Sequence, residues 1–239
     1  MKKPIVLFDI GDTLMGGAVK SPTYRIIEEL GLQRSDKSKV RHLMYGSSFM
    51  DSDELIQSFF NEFPFLDRYA SEVIYDLWEA QTVEGYALPG AFDVIEEFHR
   101  AGFRLGLVSN IWHPFYQSFE RVFSRVIKKF EVITLSYKSG RIKPDMTLYK
   151  QTLEHFRFLE DTNFINPKKI CMIGDSYKND IEPACQAKLR TVWILNKPQR
   201  EIGYLSNIVT SGASYPDLIL PSIQKLDREK ISMLRAIMS

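Results

Sequence analysis

Two rhythms of apolar and polar residues run along the chain. Ile5–Asp9, Arg104–Ser109, Val132–Leu135, Ile170–Gly174, Thr191–Leu195 and Asp217–Leu220 are short, nearly unbroken apolar runs. That is the pattern of strands buried on both faces. Between them the apolar spacing becomes helical. "AFDVIEEFHRAG" places Phe92, Val94, Ile95 and Phe98 on one stripe and then stops at Gly102. "DMTLYKQTLEHF", following Pro144, does the same with Leu148, Tyr149, Leu153 and Phe156. "NDIEPACQAKL" predicts a third helix, capped by Asn179 or Asp180, with Pro183 tolerated in its first turn. "SIQKLDREKISMLRAIM" predicts a last one with a charged outer face. Strands alternating with helices imply an α/β protein whose doubly wound parallel sheet is covered on both faces.

One region breaks that alternation. From residue 16 to 88 there is no convincing strand, and "PTYRIIEELG", "SDELIQSFFNEF" and "RYASEVIYDLWEA" read as helices rich in aromatics. The division expected is a core of residues 1–15 and 89–239 interrupted by a helical insertion at 16–88. The aromatic stripes of the insertion read as the core of a helix bundle rather than as a binding surface.

Composition narrows the function. The chain has 239 residues, 44% hydrophobic and 26% charged, as ordinary globular proteins do. A net charge of +1 gives no basic excess for nucleic acid. No apolar run approaches the length of a membrane span. Met1-Lys2-Lys3-Pro4 leads into too short an apolar stretch for a signal peptide, so a cytoplasmic location is expected. Cys171 and Cys185 are expected to be reduced thiols. The four histidines are scattered, which argues against zinc.

The chemistry gathers at strand ends, where parallel sheets bind ligands. The first strand ends at Asp9, followed by Gly11, Asp12 and Thr13. "LVSN" supplies Ser109 and Asn110, "MIGDSYKND" supplies Asp175 and Asp180, and "GRIKPD" supplies Lys143. Converging carboxylates repel one another unless a cation joins them, and a set of oxygen donors selects a hard cation, magnesium.

Together "FDIGDTL", "LVSN", "GRIKPD" and "IGDSYKND" resemble the four motifs of the haloacid dehalogenase-like hydrolases. The late run "YPDLILPSI" resembles that family's last core strand, and the insertion resembles the mobile cap of one subgroup. The resemblance implies a Rossmann-like core with an inserted helical cap and a magnesium-dependent phosphomonoesterase acting on a small phosphorylated metabolite. By the same resemblance, Asp9 would be the nucleophile that forms an aspartyl-phosphate. Asp9, the carbonyl of Gly11 and Asp175 would hold magnesium. Ser109, the amide of Asn110 and Lys143 would bind or balance the phosphoryl group, and Asp180 would support Lys143 or the metal's water.

At one position the chain departs from the family's Asp-x-Asp-x-Thr. Position 11 is Gly and position 12 is Asp, so the expected proton donor and acceptor is displaced by one residue. Three readings stay open: Asp12 reaches the site and replaces that group; Asp12 only caps a turn of a slower enzyme; or the site binds phosphate and magnesium without useful turnover. Trp112 and His113, directly after Asn110, are candidates to flank the leaving group, and packing under the insertion is the alternative for Trp112. The rivals to a phosphatase are a weakly active or regulatory binding protein and a metal-free dehalogenase. Oligomeric state is not legible.

Overall fold

A computed structural model describes residues 3–159, 161–162, 164–211 and 214–239; Met1 and Lys2, weighed above against a signal peptide, lie outside them. Strand β1 (Ile5–Phe8) is wholly buried. A two-stranded antiparallel pair, β2 (Met15–Gly16) and β3 (Tyr86–Ala87), brackets helices α1 (Pro22–Glu29), α2 (Lys37–Gly46), α3 (Ser52–Glu62) and α4 (Tyr69–Val83). The chain continues as α5 (Ala91–Arg100), β4 (Arg104–Ser109), α6 (His113–Val122), β5 (Phe130–Leu135), the short α7 (Ser136–Ser139) and α8 (Met146–Leu159). It closes with β6 (Ile170–Gly174), α9 (Glu182–Gln186), β7 (Arg190–Ile194), α10 (Pro198–Ser211), β8 (Leu218–Leu220) and α11 (Arg228–Met238).

The main sheet has six parallel strands in the order β5-β4-β1-β6-β7-β8. With β1 central, Phe8 pairs with Leu107 on one side and Ile173 on the other. The strand's period of two divides its side chains between two cores. Val6 and Phe8 join Ile95, Phe98 and Phe119 on one face, and Ile5 and Leu7 join Tyr149 and Phe156 on the other. This is the α/β, Rossmann-like doubly wound arrangement expected from the alternating pattern.

Local chemistry sets the boundaries. α5 ends as Gly102 takes φ 80°, Phe103 N–H reaching Phe98 O and Gly102 N–H reaching His99 O. A side chain disfavours that left-handed turn, which makes glycine the stop. α11 starts later than its sequence suggested. Ile223–Lys225 form a separate 3₁₀ turn, and Asp227 caps the helix by accepting from Lys230 N–H. The helix expected over "NDIEPACQAKL" is also corrected. Tyr177–Ile181 form a π-helical turn capped by Ser176, rather than by Asn179 or Asp180, and α9 begins only at Glu182.

Helices α1–α4 share an apolar cluster of their own, built on Ile26, Val40, Phe59, Ile74 and Trp78. The aromatic stripes of residues 16–88 therefore do supply bundle core. Trp112, from the loop after β4, enters this cluster, its indole N–H donating to Gln81 Oε1 at 2.8 Å. Cys171 and Cys185 are free thiols. Among the described residues, no helix is long and apolar enough to cross a membrane.

Candidate active site

The carboxyl ends of β1, β4 and β6 meet at one edge of the sheet, and the chain places its charge there. Asp9 follows β1, its amide held by Ile173 O at 2.9 Å. Lys143 is fully buried and donates all three ammonium protons: to Asp9 Oδ1 (2.7 Å), Val108 O (2.8 Å) and Asp180 Oδ1 (2.5 Å). Burial works against the charge of this lysine, but the Asp180 and Asp9 carboxylates outweigh it and hold its pKa above the usual range. Asp180 is anchored again by Ser176 N–H on Oδ2 at 3.1 Å. A Cβ on Gly174 would sit inside the Asp180 carboxylate, so only glycine allows that approach.

Oxygens of Asp9, Asp175 and Asp180 lie within 4.8 Å of one another. Burial pushes the Asp175 carboxyl well up, and Asp9, Asp180 and Asp12 push it the same way. One ammonium cannot balance this many carboxylates. The donor set is entirely oxygen, so the residues fit a hard divalent cation such as magnesium.

The other expected residues take definite places. Ser109 is fully buried, and its Oγ has no hydrogen-bond partner among the described residues. A buried hydroxyl left unpaired is costly and calls for an occupant. The side chain of Asn110 clamps the lysine backbone, Nδ2 donating to Lys143 O (3.0 Å) and Oδ1 accepting from Lys143 N–H (2.7 Å). Asp9, Gly11, Asp12, Asn110, Lys143, Asp175 and Asp180 all line a cavity of about 360 Å³. A smaller one of about 140 Å³ adjoins it, sharing Gly11, Asp12 and Asn110 and reaching Trp112. His113 lines neither: its Nδ1 bonds Phe49 O at 2.8 Å and its ring stacks on Tyr137.

Asp12 does not behave as a turn cap. Its backbone takes φ 56°, a conformation Asp tolerates better than most residues. Its carboxylate accepts from Lys197 Nζ (2.5 Å) and Arg200 Nη1 (3.2 Å), and among the described residues no neighbouring amide donates to it. Lys197 sits just before α10 and Arg200 in its first turn, a helix and a pair of residues that the apolar pattern did not reveal. Their signal was position: they directly follow the carboxyl end of the strand at Thr191–Leu195.

The sequence pattern of the haloacid dehalogenase-like hydrolases matches residues 4–188. The chain belongs to that family. It is 24% identical over 206 residues to the glyceraldehyde 3-phosphate phosphatase of Pyrococcus abyssi, covering 79% of this chain and 80% of that protein. Among solved structures, CbbY of Rhodobacter sphaeroides in complex with phosphate superposes with a TM-score of 0.58 at 20% identity, over 94% of this chain and 96% of that one. The 2-haloacid dehalogenase of Pseudomonas syringae does so at 0.55 and 17%, over 97% and 99%. Phosphatases and dehalogenases of this family thus share the architecture, and the fold does not choose between them.

Proposed function

We propose that this haloacid dehalogenase-like hydrolase is a magnesium-dependent phosphatase of small phosphorylated metabolites. The observation that carries the reading is the oxygen-only cluster of Asp9, Asp175 and Asp180 around a single buried lysine. A displacement on carbon by a lone carboxylate has no need for so much gathered negative charge. Phosphoryl transfer does, because a bound cation neutralises both the nucleophile and the phosphoryl oxygens. Asp9 and Asp175 would hold magnesium with the Gly11 carbonyl, and the metal would supply that neutralisation. The Pyrococcus relative named as a phosphatase supports the same reading.

The residues then divide the work. Asp9 Oδ1 is held by Lys143, and Oδ2 takes no hydrogen bond among the described residues, leaving it to attack phosphorus. An Oδ2–P bond forms as the P–O bond to the leaving group breaks. Asp12, in its protonated form, gives its proton to the departing oxygen and then recovers one from the water that attacks phosphorus as the Oδ2–P bond breaks, releasing inorganic phosphate and regenerating Asp9. Ser109 Oγ donates to a phosphoryl oxygen. Lys143, its protons already committed, fixes Asp9 and Asp180 and balances their charge, with Asn110 locking its backbone in place. Residues 16–88 act as the cap: Ser21 just before α1, Tyr24 of α1, and Arg41 and Tyr45 of α2 line the same cavity as Asp9. Closing over the site would exclude water from the reaction.

The test is hydrolysis of para-nitrophenyl phosphate by the full chain with magnesium chloride and with excess EDTA. The account expects turnover only with the metal. Activity undiminished by EDTA would refute the metal requirement, and release of chloride from 2-chloropropionate without phosphate-ester turnover would place the protein with the dehalogenases.

A further inference from the structure

The larger cavity has an uneven distribution of charge. Every carboxylate lining it belongs to the sheet side: Asp9, Asp12, Asp175, Asp180 and Glu201. The cations of that side are committed, Lys143 to Asp9 and Asp180, and Arg200 to Asp12. The charged residues that line the cavity from the helical insertion are all positive. Lys37, Arg41 and Tyr45 line it from α2 at intervals of four residues, which puts them on one face of that helix. Lys37 donates to Tyr24 Oη at 2.6 Å, a neutral partner. Arg41 is half-buried and has no hydrogen bond or ion pair among the described residues. Like charges four residues apart on a helix repel. Here no acid of α1 or α2 in the cavity wall relieves them, and the cavity they line is the one that Asp9 and Asp175 line.

We infer that Arg41, assisted by Lys37, binds a second oxyanion of the substrate, a carboxylate or a second phosphate at the end away from the scissile ester. A guanidinium presents paired N–H donors that match either group, and such charge-assisted bonds are stronger than neutral ones. The inference rests on the phosphatase reading and deepens it. The preferred substrate is a small phosphate ester with an anionic tail, unlike the neutral-tailed ester named for the Pyrococcus relative. The cavity volume of about 360 Å³ suits a molecule of that size.

The experiment compares kcat/KM for 3-phosphoglycerate, propane-1,3-diol bisphosphate and glycerol 3-phosphate, with para-nitrophenyl phosphate as an independent readout of phosphatase chemistry. Wild type should prefer one or both anionic-tailed esters over glycerol 3-phosphate by about tenfold or more. Whichever tail is preferred tells carboxylate from phosphate. In Arg41→Ala and Arg41→Gln the preference should fall to within about twofold, and Arg41→Lys should restore part of it. Wild type that cleaves para-nitrophenyl phosphate but shows no preference overturns the inference and leaves the phosphatase reading standing. A preference that survives in both neutral variants overturns it too. If no ester is cleaved, the phosphatase reading fails. Calorimetric titration of Asp9→Asn with the same three metabolites and magnesium then decides the subsite, and equal affinities for anionic and neutral tails would overturn it.

Discussion

Replacing Asp12 by Asn separates proton transfer from architecture. Asn tolerates the left-handed backbone at φ 56° as Asp does and keeps the side-chain shape, but it cannot exchange a proton at the leaving oxygen. Two costs compete. The structural one is loss of the pairs with Lys197 and Arg200, whose side chains are 32% and 53% exposed. Exposed pairs of this kind contribute about 0–1 kcal/mol each, so each is worth at most roughly 2–4 °C in melting temperature for a chain of this size. The catalytic one is loss of general acid–base help, about 10²–10⁴-fold, or roughly 3–5 kcal/mol of barrier. The catalytic cost should dominate, and it should depend on the leaving group. Nitrophenolate departs without a proton, whereas an alkoxide does not. Steady-state kinetics of Asp12→Asn should therefore show kcat/KM for glycerol 3-phosphate down by about 10²-fold or more, and for para-nitrophenyl phosphate by less than about tenfold. Thermal unfolding should confirm an intact fold. Equal losses on both esters, or no loss on either, would refute the assignment of Asp12.

Two more outcomes follow from the buried charges. Lys143→Met leaves Asp9 and Asp180 without their cation, and breaking a buried pair in this way should cost about 3–5 kcal/mol in urea unfolding and abolish turnover; a change under about 1 kcal/mol would contradict the pairing. In EDTA, the carboxyls of Asp175 and Asp180 bind protons more tightly folded than unfolded, because burial raises the first well above 3.8 and the second to about 7. The metal-free protein should therefore lose stability as pH rises from about 4 to about 7, by linkage. Magnesium should flatten that slope. A metal-free melting temperature that climbs over the same interval would mean the carboxylates are not crowded as described.

The parallel sheet was legible because its strands are continuous apolar runs, a pattern few other environments produce. Asp9, Lys143, Asp175 and Asp180 were legible for a related reason: charges that close a buried strand or follow it must find partners. The structure gives those partners distances, and it shows that Lys143 has no proton left over for a phosphate. The contribution of α10 was not legible. Its outer face is wet, with Ile202 69% and Val209 76% exposed, so apolar spacing carries little signal there. Lys197 and Arg200 reach Asp12 across more than 180 residues of chain, and nothing local announces that contact. Trp112 shows the opposite limit. Its place after Asn110 left a substrate contact and packing under the insertion both open, and only the structure decides: its indole N–H is taken by Gln81 and its ring by Trp78, so most of that side chain serves the packing of the helical insertion.

The central claim is that Asp9 becomes covalently phosphorylated. The direct measurement is to quench the enzyme during turnover of para-nitrophenyl phosphate with magnesium, reduce it with borohydride and sequence the peptides by mass spectrometry. An acyl phosphate on Asp9 would be reduced to homoserine at that position, and Asp9→Asn treated in parallel should be inactive and unmodified. Unmodified Asp9 in an enzyme turning over under the same conditions, or undiminished activity in Asp9→Asn, would contradict the account.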